Sequence, residues 1–492
     1  MKLKNNIIPF ILFLGSFFLR LSLISKGPFN VDCLDLATQA ERSLSAGQLQ
    51  NMYGSGYPLV VILSAGLIYI FRMINIVDPV SAVNMMSVVT TSICVIFFYK
   101  IAERITSQKA AIFSTILFSL NPAFLGNSVF GISHGPALLF LSVSIYFLIL
   151  FKEDNKCLKY LFISAIFFGF TGAARLQDMI FLIIPIASLI LIPLKPCNIK
   201  RFLLFSLIAA AFCALFYLPY IITDAREDYF SQLRSYRADS LPVYSLEFIR
   251  YTFLELHGYL CELLLPVGLC ISICGLFILG RKKNSYSMFI YLWFFVSFYI
   301  LIIFSTTRPR FLLLSLMPLS IAAGECLSYL FNFNRVFKFV SIIMLCLLFR
   351  MGFLPTYYLL KFRHRVSVII EYCKWLNKNT EKNSLIITCD DKPFIRYYGS
   401  RESLARPMNT FSISIEQLEM FKKGLDKKIE EGYPVYITDI GLYAYAPKGE
   451  FTSFFRHNYR IVPVGKSLYE DWHQGASEDQ LFYNNLYKVT KN

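Results

Sequence analysis

The sequence is 492 residues long, 56% hydrophobic and 16% charged, with a formal net charge of +16. Soluble domains are about 45–50% apolar and about 25% charged, so this composition excludes an ordinary soluble protein and points to an integral membrane one. The excess of Lys and Arg falls in short loops between apolar spans, with no aromatic-basic platform beside it, so topology accounts for the charge and nucleic acid is set aside as a partner.

In chain order, Lys2 and Lys4 precede an apolar run that ends near Arg20 without a small-residue cleavage site, which reads as an uncleaved anchor. Apolar stretches of spanning length, about 17–25 residues, follow at 80–100, 109–126, 135–151, 158–174, 179–195, 200–222, 261–280, 286–304, 311–331 and 335–355. The basic loops at Lys100/Arg104/Lys109, Lys152/Lys156/Lys159, Lys195/Lys200/Arg201, Arg281/Lys282/Lys283 and Arg335/Lys338 belong on the cytoplasmic side. With the N-terminus also inside, no full crossing fits between the first span and 80–100. The segment 57–74 is therefore expected to lie in the interface or re-enter, which leaves about eleven crossings. The loops 26–79, 127–134, 175–178, 223–260 and 305–310 are then extracytoplasmic, as is everything after about 356.

The region 361–492 is polar at soluble frequencies. Its segments 384–389 and 434–438 read as buried strands, 460–464 and 480–483 as weaker ones, and 366–378 and 414–431 as helices. The expected architecture is an α-helical polytopic membrane module over 1–360, with juxtamembrane helices in loop 26–79, and a small external α/β domain over 361–492. Twelve cysteines are present, many of them inside apolar spans (Cys94, Cys213, Cys270, Cys274, Cys346), where they act as small hydrophobes. No CxxC pair or Cys/His cluster of zinc spacing appears, so no metal or other cofactor is expected and a divalent cation finds no support.

The groups able to do chemistry concentrate on the external side. Asp32 and Asp35 stand three apart near a membrane edge, where acids are costly and usually functional. Either Asp32 caps a helix with Asp35 in its first turn, or one carboxylate faces a cavity and takes a proton from a nucleophile. Arg20 either snorkels outward or pairs with these acids or an anionic substrate. His134, in Ser133-His134-Gly135-Pro136, is either a satisfied structural group or a ligand contact. Arg175 and Asp178 break two apolar spans on the outside, where charges line cavities. Arg308 and Arg310 flank Pro309 in a tight turn suited to phosphate oxygens or to lipid headgroups. Positive-inside sorting works against external arginines, which makes their concentration on this face informative.

These residues give the chain a resemblance to the GT-C superfamily of polytopic glycosyltransferases, in the branch of protein O-mannosyltransferases and aminoarabinose (lipid A) transferases. Leu19-Arg20 followed by Asp32-Cys33-Leu34-Asp35-Leu36-Ala37-Thr38-Gln39-Ala40 is similar to the family's Leu-Arg and Asp-Glu-x-x-Tyr-Ala-x-x-Ala, with Cys33 and Leu36 in place of Glu and Tyr. Gly56-Tyr57-Pro58-Leu59 resembles its His-Pro-Pro-Leu, and Ser133-His134-Gly135-Pro136 its Thr-Asp-x-Pro, with His134 standing where the family has an acid. Arg175 falls where the family often carries Lys or Arg, and Arg310-Phe311 resembles its Arg-Tyr.

The resemblance implies a polyprenyl-phosphate-linked sugar as donor and a hydroxyl of a protein, lipid or glycan as acceptor. It implies transfer with inversion, Asp32 as general base, and Asp35, Arg20, Tyr57, His134, Arg175, Asp178, Arg308 and Arg310 as substrate-binding residues. The sequence shows no eukaryotic retention signal, so a multi-pass protein of a bacterial-type inner (plasma) membrane is expected. Two other classes compete. A glycolipid or anion transporter or flippase would show matched repeats, which the sequence lacks. A non-catalytic scaffold, or a polysaccharide polymerase or ligase using the loop 223–260, is the third reading.

Overall fold

The computed structural model describes residues 4–51, 57–154, 157–222, 246–282, 285–303, 309–389, 391–407, 413–443, 449–470 and 481–491. They fall into two units. The first holds the chain up to Ser25 and Leu36–His364; the second holds Lys26–Asp35 and the region from Arg365 onward.

The first unit is helical: α1 (Lys4–Leu21), most of α2 (Val31–Ala46), α3 (Pro58–Met73), α4 (Pro79–Ile105), α5 (Gln108–Ser119), α6 (Pro122–Asn127), α7 (His134–Glu153), α8 (Leu158–Ala174), α9 (Leu176–Leu191), α10 (Pro196–Ile222), α11 (Leu246–Arg281), α12 (Ser285–Ile303), α13 (Leu313–Phe333) and α14 (Arg335–Leu348). Every expected span falls on helix. Among the described residues, six helices are long and apolar enough to cross a membrane, and five shorter apolar ones, α3 among them, accompany these. Pairs that are neighbours in sequence pack as neighbours, as in α4 with α5 and α7 with α8, while α13 inserts between α5 and α11. Its face is almost wholly buried, from Leu313 to Ser328.

Two expected spans are broken, for local reasons. The stretch 109–126 divides at Asn121-Pro122: proline cannot donate to the turn before it, and the Asn121 carboxamide caps α6 by accepting from Ala123 N at 3.0 Å. Within α11, Leu265 adopts φ 59° and ψ 160° just before Pro266. That is a strained conformation for a branched side chain. Asn121 Nδ2 donates to the Leu263 carbonyl at 3.0 Å, serving a group beside the break. Together with a π turn at Phe349–Phe353, these breaks border an apolar cavity of about 400 Å³, lined by Phe113, Leu117, Leu263, Gly268, Leu348 and Phe353 among others.

Close helix approach depends on missing side chains. A Cβ on Gly275 of α11 would stand 1.8 Å from the Ala322 carbonyl oxygen of α13, whereas one on Gly258 of the same helix would meet nothing within 4 Å. Gly275→Ala is therefore expected to lower the thermal midpoint of the detergent-solubilised protein by several degrees. Gly258→Ala should leave it unchanged or raise it, by about the 1 kcal/mol helix preference of Ala over Gly.

The second unit is a mixed five-stranded sheet in the order β2-β1-β3-β5-β4, built of β1 (Leu385–Thr388), β2 (Glu402–Ala405), β3 (Val435–Thr438), β4 (Tyr459–Glu470) and β5 (Leu481–Lys491). The first three strands are mutually parallel, and β5 runs antiparallel to β3 and β4. Ile387, Ile437, Leu425, Phe451 and Phe455 form its core. Helices Val368–Asn379 and Ile415–Glu430 occupy the expected positions, the latter opened by a capping box between Ser414 and Gln417. Strand β2 was not expected, since Glu-Ser-Leu-Ala has no β-branched residue to mark it. The stretch Lys26–Asp35 groups with this unit. A Cβ on Gly27 would stand 2.5 Å from Ser367 Oγ, and Lys26 Nζ donates to the Arg365 carbonyl at 3.2 Å.

Candidate active site

In the helical unit, side chains of α4 shape the connection before α7. Asn84 Oδ1 accepts from Gly131 N at 2.7 Å, and Ser87 Oγ accepts from Ile132 N at 3.2 Å. A Cβ on Gly135 would stand 2.8 Å from Thr90 Oγ1, so its absence lets the start of α7 lie against α4. This places Ser133 just before α7 and His134 at its first position.

Arg175 is a one-residue joint. It closes α8 and opens α9 with φ −158° and ψ 100°, while its N–H still donates to Thr171 O at 2.7 Å. Its side chain is 3% exposed and turned inward. Nε donates to Asp178 Oδ1 at 3.2 Å, one Nη to Ser133 Oγ at 3.1 Å, and the other to Gln177 Oε1 at 3.3 Å. The His134 ring nitrogen Nε2 lies 3.1 Å from the first of these Nη atoms. Asp178 sits in the first turn of α9, where the positive end of the helix dipole favours its charge.

Two aromatic rings flank the same guanidinium. The Tyr57 centroid is 5.9 Å from its carbon and that of Phe311 is 5.4 Å away, both within cation–π range. Tyr57 precedes α3 in the left-handed region, φ 43° and ψ 56°, which costs a non-glycine residue roughly 1–2 kcal/mol. Arg310, in a 3₁₀ turn at Pro309–Leu312, places its guanidinium 5.5 Å from the Phe311 centroid. The imidazole of His134 meets that ring edge-on at 5.7 Å. The N-terminal ends of α3, α7, α9 and α13 thus meet around Arg175 and Phe311. Helix N-termini with guanidiniums between them form an environment suited to anions.

Five sequence-derived candidates come together here: Tyr57, His134, Arg175, Asp178 and Arg310. Ser133, Gln177 and Phe311 join them as contacts not singled out for a role by sequence. Arg20 stands apart. It is fully buried, bonded to Ser16, to Ser119 Oγ at 3.3 Å and to Ser119 O at 3.2 Å, with Phe124 under its guanidinium at 4.9 Å. It neither snorkels nor takes an acidic partner, and it locks α1 to the end of α5. Arg308, and residues 223–245 of the loop 223–260, lie outside the described residues.

In the second unit, Asp32 and Asp35 share the first turns of α2. The expectation that Asp32 caps this helix is corrected: Asn30 Oδ1 accepts from Cys33 N at 2.9 Å, and the helix begins at Val31. The Asp35 carboxyl is pushed up to about 7, first by burial and then by the charge of Asp32. Asp35 therefore takes up a proton far more readily than a solvent-exposed carboxylate. An acid raised in the folded state loses stabilisation as pH climbs from its unfolded value, about 4, to its folded one. Asp35→Asn is accordingly expected to melt higher than wild type at pH 8 and about equally at pH 4, as read by thermal unfolding in detergent.

Residues 60–222 match a family model, dolichyl-phosphate-mannose-protein mannosyltransferase. No curated protein matches the chain in sequence. Among solved structures, ArnT from Cupriavidus metallidurans bound to undecaprenyl phosphate is 12% identical, with a TM-score of 0.55 over 98% of this chain and 97% of that one. The Archaeoglobus fulgidus oligosaccharyltransferase tethered with an acceptor peptide is 13% identical, with a TM-score of 0.61 over 98% and 74%. The arabinofuranosyltransferase AftD from Mycobacteria is 13% identical, with a TM-score of 0.52 over 98% and 40%. At such identities the likeness is one of fold, and it bears out the resemblance read from the sequence.

Proposed function

We propose that this chain, whose fold is that of the GT-C glycosyltransferases, transfers a sugar from a polyprenyl-phosphate-linked donor to an acceptor hydroxyl at the extracytoplasmic face. The observation that carries the reading is the meeting of four helix N-termini, Arg175 and Arg310 in one membrane-protein unit. Such an arrangement stabilises the charge of a departing phosphate. The cavity beside α11 is apolar and of a size typical of ligand sites, about 300–1,000 Å³, in keeping with a substrate that brings a hydrocarbon chain.

In the proposed step Asp32 takes the proton of the acceptor hydroxyl, whose oxygen attacks the anomeric carbon from the face opposite the phosphate. The bond from that carbon to the phosphate oxygen breaks, and the electron pair leaves with the phosphate, so the configuration inverts. No general acid is required, because the phosphate leaves as an anion.

The sidedness of the reaction tests this. In membrane vesicles of defined orientation, transfer from a polyprenyl-phosphate-linked sugar is expected only when the acceptor reaches the extracytoplasmic face. A requirement for acceptor or sugar nucleotide on the cytoplasmic face would contradict it.

A further inference from the structure

The contact between His134 and Arg175 decides the state of the imidazole. A guanidinium has five N–H donors and no acceptor, so at 3.1 Å from an Arg175 Nη the Nε2 atom must present its lone pair. The proton of a neutral ring is then on Nδ1. An imidazolium would place N–H against N–H, beside the charges of both Arg175 and Arg310, which face this ring. The Phe311 ring, edge-on to the imidazole at 5.7 Å, brings no charge to offset that. Such a histidine is no general acid, and its lone pair is already engaged.

We propose that His134 is a positioning residue: a neutral imidazole that fixes the guanidinium plane of Arg175 without cancelling its charge. The inference rests on the reading of the cluster as the donor-phosphate site. Arg175 already faces one carboxylate, Asp178 at 3.2 Å. A second acid in place of His134 would hold the same Nη as well, but would add a further negative charge beside Arg175. A neutral acceptor supplies the orientation and leaves the site attractive to an anion. Orientation before the ligand arrives is what makes fixed charges effective.

The test uses full-length protein purified in detergent, with undecaprenyl phosphate as the probe and binding read by native mass spectrometry or thermophoresis. His134→Gln, which keeps a neutral acceptor, is expected to bind within about threefold of wild type. His134→Leu, which loses it, should bind about tenfold more weakly, and His134→Asp weaker still, since tenfold is only about 1.4 kcal/mol. Rescue by Gln but not by Asp separates positioning from general fold damage, and thermal midpoints of all three variants monitor the latter. ¹⁵N-histidine NMR, assigned by the loss of one signal in His134→Gln, should show an unprotonated Nε2 at neutral pH. A protonated Nε2, or binding by His134→Asp equal to wild type, overturns the proposal. Wild-type protein that takes up no polyprenyl phosphate defeats the reading of the site as a phosphate receptor, while the NMR signal still decides the tautomer of His134.

Discussion

Asp32→Asn is expected to lower sugar transfer by roughly 10²–10⁴-fold, the usual contribution of a positioned general base, while the protein accumulates and melts as wild type does. The substitution is nearly isosteric and removes only the proton-accepting charge. The cap of helix α2 is supplied by Asn30, which accepts from Cys33 N. The contrasting variant is Asn30→Ala, which should cost about 1 kcal/mol of stability. Measuring donor consumption and thermal midpoint on both variants separates the chemistry of Asp32 from the architecture of its helix. Transfer by Asp32→Asn at near wild-type rate would remove Asp32 from the mechanism.

Arg175→Met should be the most damaging change to the helical unit. Arg175 and Asp178 are 3% and 4% exposed, and removing one partner of a buried pair leaves an uncompensated charge, at a cost of about 3–5 kcal/mol. Ser133 and Gln177 lose their donor at the same time. The double variant Arg175→Met/Asp178→Leu is expected to regain most of the lost stability, since an apolar pair of similar volume can replace a buried ion pair with little net change. It should not regain donor binding or transfer. Recovery of activity in the double variant would mean that the pair serves the fold alone. Arg175→Lys should fall between these, because an ammonium cannot reach Asp178, Ser133, His134 and Gln177 in one plane.

What could be read in the sequence followed from local signals. Apolar length placed the helices, and the Gly-Tyr-Pro-Leu run placed the start of α3. Alternating apolar segments placed four of the five strands. The breaks were harder. Asn121-Pro122 lies inside the stretch read as one span, 109–126, and nothing in leucine itself marks the left-handed φ that Leu265 adopts before Pro266.

At the site, residue chemistry singled out Arg175 and Arg310, but Phe311 escaped notice as a functional contact. Its importance lies in touching residues at positions 134, 175 and 310, a convergence of helix ends distant in sequence. Arg20 went the other way. A charge near the end of a span invites an acidic partner, and only the fold shows serines in its place, one of them 99 residues away. For α2, the sequence offered Asp32 as the cap, and the fold gives that place to Asn30, whose Oδ1 accepts from Cys33 N.

The most direct test of the account is the identity of the lipid product. Purified protein in liposomes, given polyprenyl-phosphate-linked sugars and a membrane extract as acceptor, is predicted to release unsubstituted polyprenyl phosphate, detected by mass spectrometry. Asp32→Asn and the Arg175→Met/Asp178→Leu double variant are predicted to release none above background. Protein-dependent consumption of a sugar nucleotide, with the polyprenyl-linked pool untouched, would contradict the account.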